Sequence, residues 1–478
     1  ENNYLLKLHN NKLEDLFLKK IGIPKIIIGN KKPSKFKGEF YLHHELYNIY
    51  NNKNYKKLPP LDPIFLSKLK SYESIYLRIC DRLKHGSMCY EERIKSYYNQ
   101  LQFWNYKLDE NKITHFIQYN IPHEGYDFLI YALCKIKNID TIFSYRLPII
   151  KNILAKRYFI TDIFKHSRKY SNLKVINSAN ELEESYRNLY FSIYPQKVDS
   201  NKLTKFKTYP RIAKPFKKPA FYYFNLLKNS LMKDSFKKTL MKIENRITLI
   251  HKLKYRNPYM ISQAKLRKNY KKLIVNKIPN GKYIFVPLHY QPELSSVPLG
   301  KDFCEQDLLI DMISWLGEKY GFNVLVKKHP RINYEYFYVR PKNTYDQMIR
   351  HKNVFLLDEK VNSSELINNS LAVASITGSL CWEAFLRGKP SILFGSVIYD
   401  NAPGIIKVKD MNSLENFIKK LLSDKINITT TNIISFLKYL EEFTFDHTGE
   451  KAFYAAPSHL SSKSNNENFI NNLIKELI

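Results

Sequence analysis

The sequence predicts an α/β protein made of two Rossmann-like domains that face a common cleft and are joined by a basic helical connector. The first half of the chain contains a strand, a loop, a helix and a second strand in succession, and the second half alternates short apolar strands with helices. A proline-broken, strongly basic segment separates the two halves. Such alternation is typical of parallel sheets covered by helices on both faces. We place the N-terminal domain at 1–200, the connector at 201–280 and the C-terminal domain at 281–478.

The composition agrees with a folded protein of several domains. The 478 residues exceed the ~150 residues of a typical domain about threefold. A content of 44% apolar and 14% aromatic residues excludes a largely disordered chain. No apolar run reaches the ~18 residues that a membrane-spanning helix needs. Five cysteines without a Cys-x-x-Cys pair argue against a disulfide framework and a zinc knuckle, and they fit a reducing cytosol.

In the N-terminal half, short apolar runs alternate with helical spacing. A sharp Asn-Ile-Pro-His-Glu-Gly loop lies between a predicted strand and a predicted helix, which completes a βαβ unit. The patterns predict strands at 26–29, 113–118 and 139–144, a helical stretch at 73–107 with a polar break at His85-Gly86-Ser87, and a helix at 126–136.

The C-terminal half is more regular, because its strands and helices alternate throughout. This spacing predicts a doubly wound parallel sheet. The expected strands are 283–288, 322–326, 354–357, 371–375, 391–394 and 405–408, and the expected helices are 304–319, 343–350, 363–368, 379–387 and 413–422.

Charge is concentrated in one segment. The chain has a net charge of +33, and residues 202–277 carry 22 basic and 2 acidic side chains, which supply +20 of it. Codon bias in an AT-rich genome also enriches lysine, but it does not explain a local excess. We therefore consider an anionic partner: nucleic acid, an acidic membrane surface or an acidic polymer. Two predicted helices, 221–253 and 258–274, combine lysines with aromatic and aliphatic residues, as interfacial helices do and as solvated packing helices also do.

The first candidate site follows the strand at 371–375. Small hydroxyl residues and a glycine, Ser375, Thr377, Gly378 and Ser379, lead directly into a helix. A helix N-terminus exposes backbone N–H groups at the positive end of its dipole, and this favours a phosphate. Glu383 lies about one and a half turns further on, where a carboxylate can reach ribose hydroxyls. The alternative is an ordinary helix start with a solvated Glu383.

Two neighbouring strand ends carry further polar residues. Lys327, His329 and Pro330 follow the strand at 322–326, and Gln291 and Glu293 follow the strand at 283–288. Because ligands bind beyond the carboxyl ends of parallel strands, these residues are candidates for the same site. A residue before proline is extended, so the His329 ring can point into the cleft. A structural hydrogen-bond donor is the alternative role for a single histidine.

The N-terminal candidate is the Pro-His-Glu-Gly-Tyr-Asp segment. It also follows a strand and opens a helix, and it contains the candidate catalytic residues His123, Glu124 and Asp127. Either carboxylate can deprotonate an acceptor hydroxyl. The alternative is that both cap the first turn of the helix.

Several absent motifs narrow the function. The sequence has no GxGxxG and no Walker A loop, which argues against a nicotinamide dehydrogenase and a P-loop NTPase. It has no HExxH and no GxSxG motif. Without an Asp-x-Asp motif, a metal-bridged nucleotide diphosphate is not indicated, and no metal ligands are predicted.

The candidate motifs together resemble those of the bacterial capsule polysaccharide biosynthesis proteins, which are GT-B glycosyltransferases that include Kdo transferases. The resemblance covers residues 281–410 well and 73–147 more thinly. The His-Pro and Ser/Thr motifs are also similar to those of bacterial GT-B sialyltransferases. The motifs are Val286-Pro-Leu-His-Tyr-Gln-Pro-Glu293, Lys327-Lys-His-Pro330, Ser375-Ile-Thr-Gly-Ser379, Trp382-Glu383-Ala384 and Gly388-Lys-Pro390.

The resemblance implies roles for the candidate residues. It implies a CMP-linked donor and a reaction that requires no metal and no other cofactor. His329, Ser375, Thr377 and Ser379 would bind the phosphate and cytidine, and Gln291 and Glu293 would line the donor sugar. Glu124 or Asp127 would be the catalytic carboxylate.

The sequence therefore predicts a metal-independent glycosyltransferase of capsule or lipopolysaccharide biosynthesis. We expect a CMP-sugar donor such as CMP-Kdo, a surface polysaccharide or lipid-linked acceptor, and a cytoplasmic protein at the anionic inner-membrane surface. A CDP-glycerol or CDP-ribitol polyol-phosphate transferase is the alternative within the same fold. A nucleic-acid-binding protein is the alternative of another class, but no RRM, KH or helix-turn-helix signature is present.

Overall fold

The computed structural model of the protein contains two sheets of mainly parallel strands, which confirms the predicted α/β fold class. It describes residues 2–8, 10–46, 58–82, 89–147, 157–164, 174–193, 265–275, 277–290, 293–329, 343–447 and 462–477.

The N-terminal sheet orders its first six strands as β3-β2-β1-β4-β5-β6. Strands β1 to β5 run parallel, and β6 pairs antiparallel with β5. The strands are β1 Tyr4–Lys7, β2 Ile26–Gly29, β3 Glu39–Leu42, β4 His115–Gln118, β5 Asp140–Arg146 and β6 Arg157–Thr161. The helices are α1 Asn11–Lys20, α2 Pro63–Lys68, α3 Lys70–Arg82, α4 Tyr90–Glu110, α5 Tyr126–Ile136 and α6 Glu184–Ile193.

The C-terminal sheet is parallel throughout, in the order β9-β8-β7-β10-β11-β12. All six strands lie where the apolar runs predict them. The strands are β7 Tyr283–Pro287, β8 Asn323–Lys327, β9 Val354–Leu357, β10 Ala372–Ser375, β11 Ser391–Leu393 and β12 Ile405–Lys407. The helices are α7 Gln306–Tyr320, α8 Thr344–Met348, α9 Ser363–Asn369, α10 Ser379–Leu386 and α11 Met411–Leu422.

Both sheets therefore have the strand order of a Rossmann fold, 3-2-1-4-5-6 when the strands of each domain are numbered along the chain. In this order the chain reverses its direction of winding between the first and fourth strands. The reversal opens a crevice at the carboxyl ends of those two strands, where ligands bind in such folds. The crevices lie between β1 and β4 in the N-terminal sheet, and between β7 and β10 in the C-terminal sheet.

The end of the chain returns to the N-terminal domain. After helix α12, Thr430–Phe443, strand β13, Phe445–Asp446, pairs antiparallel with β6, and helix α13, Ser462–Leu477, packs against α1. The predicted domain limits, with 281–478 in the C-terminal domain, do not include this return. Its cause is burial, because α13 fills the buried cluster that contains the apolar face of α1.

Loops at the carboxyl ends of the strands bring the two domains together. Val297 and Cys304, which follow β7, are buried in the apolar cluster of the N-terminal domain. Ile121, which follows β4, is buried in a cluster shared with the C-terminal domain. Arg78 of α3 and Glu305 form an ion pair across the junction. The two crevices therefore belong to one cleft region, as the sequence predicts.

Most of the basic connector, residues 202–264, lies outside the described residues. Residues 265–273 are helical. Leu266 and Tyr270 pack into the core of the C-terminal domain, and the basic side chains of this helix are exposed. None of the helices in the described ranges combines the length and apolar character required to cross a membrane.

Candidate functional site

A buried lysine lies at the N-terminal crevice. Lys7, the last residue of β1, is fully buried. Its Nζ donates to Glu124 Oε2 at 2.7 Å and to Asp127 Oδ2 at 2.6 Å, and it lies 4.6 Å from the centroid of the Tyr126 ring. The cluster thus joins the end of β1 to the loop after β4 and the first turn of α5.

Each charged group of this cluster shifts the pKa of its neighbours toward the ionised form. Burial acts to lower the pKa of Lys7, but the charges of Asp127 and Glu124 outweigh it and raise the pKa. Burial acts to raise the pKa of Glu124, but Lys7, with smaller contributions from His123 and His43, lowers it well below its usual range. Lys7 is therefore a permanent cation and Glu124 a permanent carboxylate at neutral pH.

The two carboxylates differ in access to solvent. Asp127 is fully buried, and its oxygens accept bonds from Lys7, from Gln118 Nε2 at 2.8 Å and from the Glu124 N–H at 2.7 Å. The Glu124 side chain is 23% exposed. Asp127 is thus enclosed by its partners within the protein, whereas the Glu124 side chain remains partly accessible to solvent.

The backbone conformation of the Pro-His-Glu-Gly loop sets the position of Glu124 before α5. Gly125 precedes α5 with φ of +83°, a conformation that side chains with a Cβ rarely adopt. His123 Nδ1 lies 2.5 Å from the Ile121 carbonyl oxygen, which holds the loop on itself. The prediction of a loop that opens a helix is therefore correct.

One buried acceptor in this crevice has no partner. Gln118 is the last residue of β4, and in the described part of the chain no group donates to its buried Oε1. A buried amide oxygen without a donor is uncommon and costly, so it is a candidate contact for a bound hydroxyl.

The C-terminal crevice is built on a histidine. His289 follows β7, and its Nε2 lies 2.9 Å from Ser375 Oγ at the end of β10 and 3.1 Å from the Thr377 nitrogen. Thr377 Oγ1 donates to the Ser295 carbonyl oxygen. Burial, with a smaller contribution from His329, lowers the pKa of His289 to about 3, so the ring is neutral at physiological pH.

The turn after β10 ends at an open helix N-terminus. Gly378 is the N-cap residue of α10, and no side chain caps the first turn. Ser379 is exposed, and the Tyr399 hydroxyl donates to the Gly378 carbonyl oxygen at 2.7 Å. The Cys381 N–H donates to the Gly378 carbonyl oxygen at 3.0 Å, so an anion at this end would meet the preceding N–H groups of Ser379 and Leu380.

His329 follows β8 and lies near His289. Its ring centroid is 6.0 Å from that of Tyr290, and its charge acts on His289. The structure therefore brings together the ends of β7, β8 and β10, as the sequence predicts. Pro330 and Gln291 lie outside the described residues.

Other predicted contacts are engaged within the protein. Lys327 Nζ donates to the Val361 carbonyl oxygen at 2.5 Å and to Ser363 Oγ at 2.7 Å, and burial lowers its pKa. Glu383 forms an ion pair with Arg387 at 2.9 Å. These contacts of Lys327 Nζ and Glu383 Oε1 join β8 and α10 to α9, since Glu383 Oε1 also accepts from Ser364 Oγ at 3.2 Å. The roles of Lys327 and Glu383 in donor binding stay predictions.

Glu293 lies where the two domains meet. The Ser295 hydroxyl is 3.3 Å from Glu293 Oε2, and the Glu293 N–H donates to Ser296 Oγ at 3.1 Å. Burial, together with the charge of Glu293, raises the pKa of Tyr145 in the N-terminal sheet to about 12. Glu293 therefore lies at the cleft. In the described ranges, no three His, Cys, Asp or Glu side chains form a group that could hold a metal ion.

Sequence reasoning did not identify Lys7, Gln118 or Tyr399 as site residues, and it included His289 only within the Val286–Glu293 motif. Lys7 and Gln118 are polar residues at the ends of buried strands. That pattern is visible in the sequence and could have identified both as site residues.

Residues 227–435 match the protein family described as "Capsule polysaccharide biosynthesis protein". The matched segment contains most of the motifs on which the predicted family resemblance rests. No curated protein matches the chain.

Several solved structures resemble the chain at low identity. The β-Kdo 2,7-transferase of Thermosulfurimonas dismutans is 10% identical, with 87% of this chain and 98% of that chain covered and a TM-score of 0.28. The UDP-GlcNAc 2-epimerase of Neisseria meningitidis is 13% identical, with 99% and 100% covered and a TM-score of 0.23. A glycosyltransferase of Rickettsia africae is 12% identical, with 93% of each chain covered and a TM-score of 0.24. Scores this low carry no functional argument.

Replacing Lys7 tests the buried cluster. Lys7→Met leaves the buried Asp127 and the partly exposed Glu124 without their cation, and we expect a loss of about 3–5 kcal/mol in the free energy of unfolding at pH 7. Urea denaturation measures this loss, with the exposed Lys12→Met as the control.

The same loss depends on pH. Because Lys7 lowers the folded pKa of Glu124, its contribution is complete above the unfolded pKa of about 4 and fades as the pH falls below that value. The difference in the free energy of unfolding between wild type and Lys7→Met should therefore become smaller below about pH 4. A difference that is small at pH 7, or constant with pH, would contradict this role of Lys7.

Proposed function

We propose that this protein, whose residues 227–435 match the capsule polysaccharide biosynthesis family, is a glycosyltransferase that uses a CMP-linked sugar such as CMP-Kdo. The acceptor is a surface polysaccharide or a lipid-linked glycan. The observation that carries the proposal is the uncapped N-terminus of α10 at the C-terminal crevice, with His329 near His289, which contacts the turn before α10. This arrangement offers N–H groups and a histidine to one phosphate.

In this proposal the phosphate lies against the first turn of α10. Backbone N–H groups and the positive end of the helix dipole stabilise the negative charge that the leaving CMP acquires. His329 adds a donor that is charged when protonated. We propose that these groups suffice for departure of CMP without a metal ion.

Glu124 is the proposed catalytic carboxylate. Its side chain is partly exposed at the N-terminal crevice, whereas Asp127 is enclosed by its partners. As a general base, Glu124 accepts the proton of the acceptor hydroxyl while the glycosidic bond forms and CMP leaves.

The lowered pKa of Glu124 supports a second role. A general base works best with a pKa near the operating pH, and a permanently ionised carboxylate is a weak base. Such a carboxylate can instead attack the anomeric carbon, displace CMP and form a glycosyl ester, which the acceptor hydroxyl then cleaves.

Nucleotide binding tests the donor. Calorimetric titration with CMP, UDP, CDP-glycerol and a short oligonucleotide should give saturable binding of CMP. The role of His329 is tested by substitution. His329→Ala should weaken CMP binding by about 1.5–3 kcal/mol, the range for a hydrogen bond to a charged group. His351→Ala is the control. That histidine lies before the amino end of β9, whereas the crevice lies at the carboxyl ends of the strands, and it contacts Asp311 and Glu318. Unchanged CMP affinity in His329→Ala would remove the assignment of His329. Tighter binding of CDP-glycerol would favour the polyol-phosphate transferase, and tighter binding of the oligonucleotide would favour a nucleic-acid-binding protein.

Turnover tests the carboxylate. Glu124→Gln should lower kcat by about 10²–10⁴, the usual contribution of a positioned general base, with CMP affinity little changed. A covalent role predicts a larger loss and a glycosylated wild-type protein by intact mass after mixing with donor alone. Asp127→Asn should act mainly on stability, and the exposed Glu91→Gln should be neutral. Wild-type turnover in Glu124→Gln would place the catalytic group elsewhere.

Membrane association is a separate proposal about the connector. Each Lys or Arg near an anionic surface contributes about 1 kcal/mol. The protein should therefore sediment with anionic vesicles at low salt and be released by about 0.5 M salt, which screens the attraction. Replacing Lys214, Lys217, Lys218 and Lys228 with Gln should reduce sedimentation and leave activity on a short soluble acceptor intact. Equal sedimentation with neutral and anionic vesicles, or none with either, would exclude electrostatic docking.

A further inference from the structure

The imidazole of His289 receives two hydrogen bonds on one nitrogen. The Thr377 backbone nitrogen lies 3.1 Å from Nε2 and can only donate. Nε2 must therefore be unprotonated. The Ser375 hydroxyl, 2.9 Å from the same nitrogen, must then direct its proton to Nε2 as well.

This geometry fixes both the charge and the tautomer of His289. With Nε2 unprotonated, the neutral ring carries its proton on Nδ1. Protonation of Nε2 would place two N–H donors against each other at 3.1 Å. The pKa of about 3 that burial and His329 impose on the ring agrees with this neutral state. Within the described residues, His329 is the one titratable group whose charge acts on His289.

The hydroxyl groups of the turn are directed inward as a result. The Ser375 proton goes to His289, and the Thr377 hydroxyl donates to the Ser295 carbonyl oxygen. Only Ser379, which is exposed, keeps a hydroxyl at the surface of the turn. Because the Thr377 N–H also donates to His289, an anion at this turn would meet the N–H groups that follow Thr377 and the Ser379 hydroxyl, and the two inner hydroxyls are structural.

The turn leaves little room for other arrangements. A Cβ on Gly378 would lie 2.6 Å from Ser375 Oγ, and one on Gly395 would lie 2.7 Å from Thr377 Cγ2. The histidine is itself braced, because its backbone N–H donates to Gln306 Oε1 at 2.6 Å and its carbonyl oxygen lies 3.4 Å from Gln306 Nε2. The ring, the turn and the first residue of α7 therefore form one rigid unit.

We propose that His289 is a positioning residue for the donor phosphate: its neutral ring, held in the Nδ1–H form, fixes the turn after β10 so that the N-terminus of α10 points into the crevice. The proposal rests on the donor site proposed above. It assigns to Ser375 and Thr377 the role of holding the turn, in place of the direct phosphate contact that the family resemblance implies.

Two amide variants distinguish the role of Nε2 from that of Nδ1 in the His289 ring. His289→Gln can place its amide oxygen where Nε2 accepts from Thr377, whereas His289→Asn places its amide at the position of Nδ1. We expect His289→Asn to weaken CMP binding about 10-fold, as loss of a bracing hydrogen bond does, and to raise the KM for the donor more than it lowers kcat. His289→Gln should stay within about 3-fold of wild type. Equal losses in the two variants, or no loss in either, would overturn the proposal.

The tautomer is measured on the wild-type protein, so the proposal does not depend on folded variants. Two-bond ¹H–¹⁵N correlation spectra of histidine-labelled protein should show His289 with an unprotonated Nε2 and a protonated Nδ1 from about pH 5 to 8, where an ordinary histidine titrates. A protonated Nε2, or titration in that range, would overturn the proposal. If wild type binds neither CMP nor inorganic phosphate, the proposed donor site fails, whereas the spectra still decide the state of His289.

Discussion

The reversal of strand order in each sheet is the constraint on which the rest of this structure depends. Where the chain changes direction between β1 and β4, and between β7 and β10, the flanking helices lie on opposite faces and leave a crevice between two strand ends. A ligand in such a crevice is bound by polar groups of the protein. Because these groups are partly buried, each of them also needs hydrogen-bond partners within the protein. The candidate sites are the two ways in which this chain meets that requirement.

The two crevices use opposite chemistry. In the N-terminal crevice a buried cation, Lys7, holds two carboxylates, and removing one member would leave the others unpaired at high cost. In the C-terminal crevice the interior groups are neutral, and His289 joins the strand end to the turn by hydrogen bonds. One crevice therefore presents a carboxylate and the other presents N–H donors. This division suits a reaction in which an acceptor hydroxyl is activated on one side and a phosphate leaves on the other.

Sequence reasoning predicted what short-range patterns determine. The C-terminal strands, β2, β4 and β5, the helix that begins at Ser379 and the loop before α5 follow from apolar spacing and from glycine and proline. Strands β1, β3 and β6 were not predicted. Contacts between distant residues were not accessible to it. Lys7 and Glu124 are 117 positions apart, and His289 and Ser375 are 86 apart. The return of α13 to the N-terminal domain was missed for the same reason, since an amphipathic pattern shows that one face is buried but not which cluster covers it. The sequence also identifies hydroxyl residues without their orientation, and it is the contact with His289 that directs the Ser375 hydroxyl inward.

The central claim is that the C-terminal crevice binds the donor phosphate through the backbone of α10. An experimental structure of the protein with CMP bound tests it most directly. The account predicts the phosphate within hydrogen-bonding distance of the first-turn N–H groups of α10, with Ser379 and His329 beside it and the contacts from His289 to Ser375 and Thr377 unchanged. A nucleotide bound outside the crevice between β7 and β10, or a phosphate held by the Ser375 and Thr377 hydroxyls with the His289 contacts broken, would contradict it.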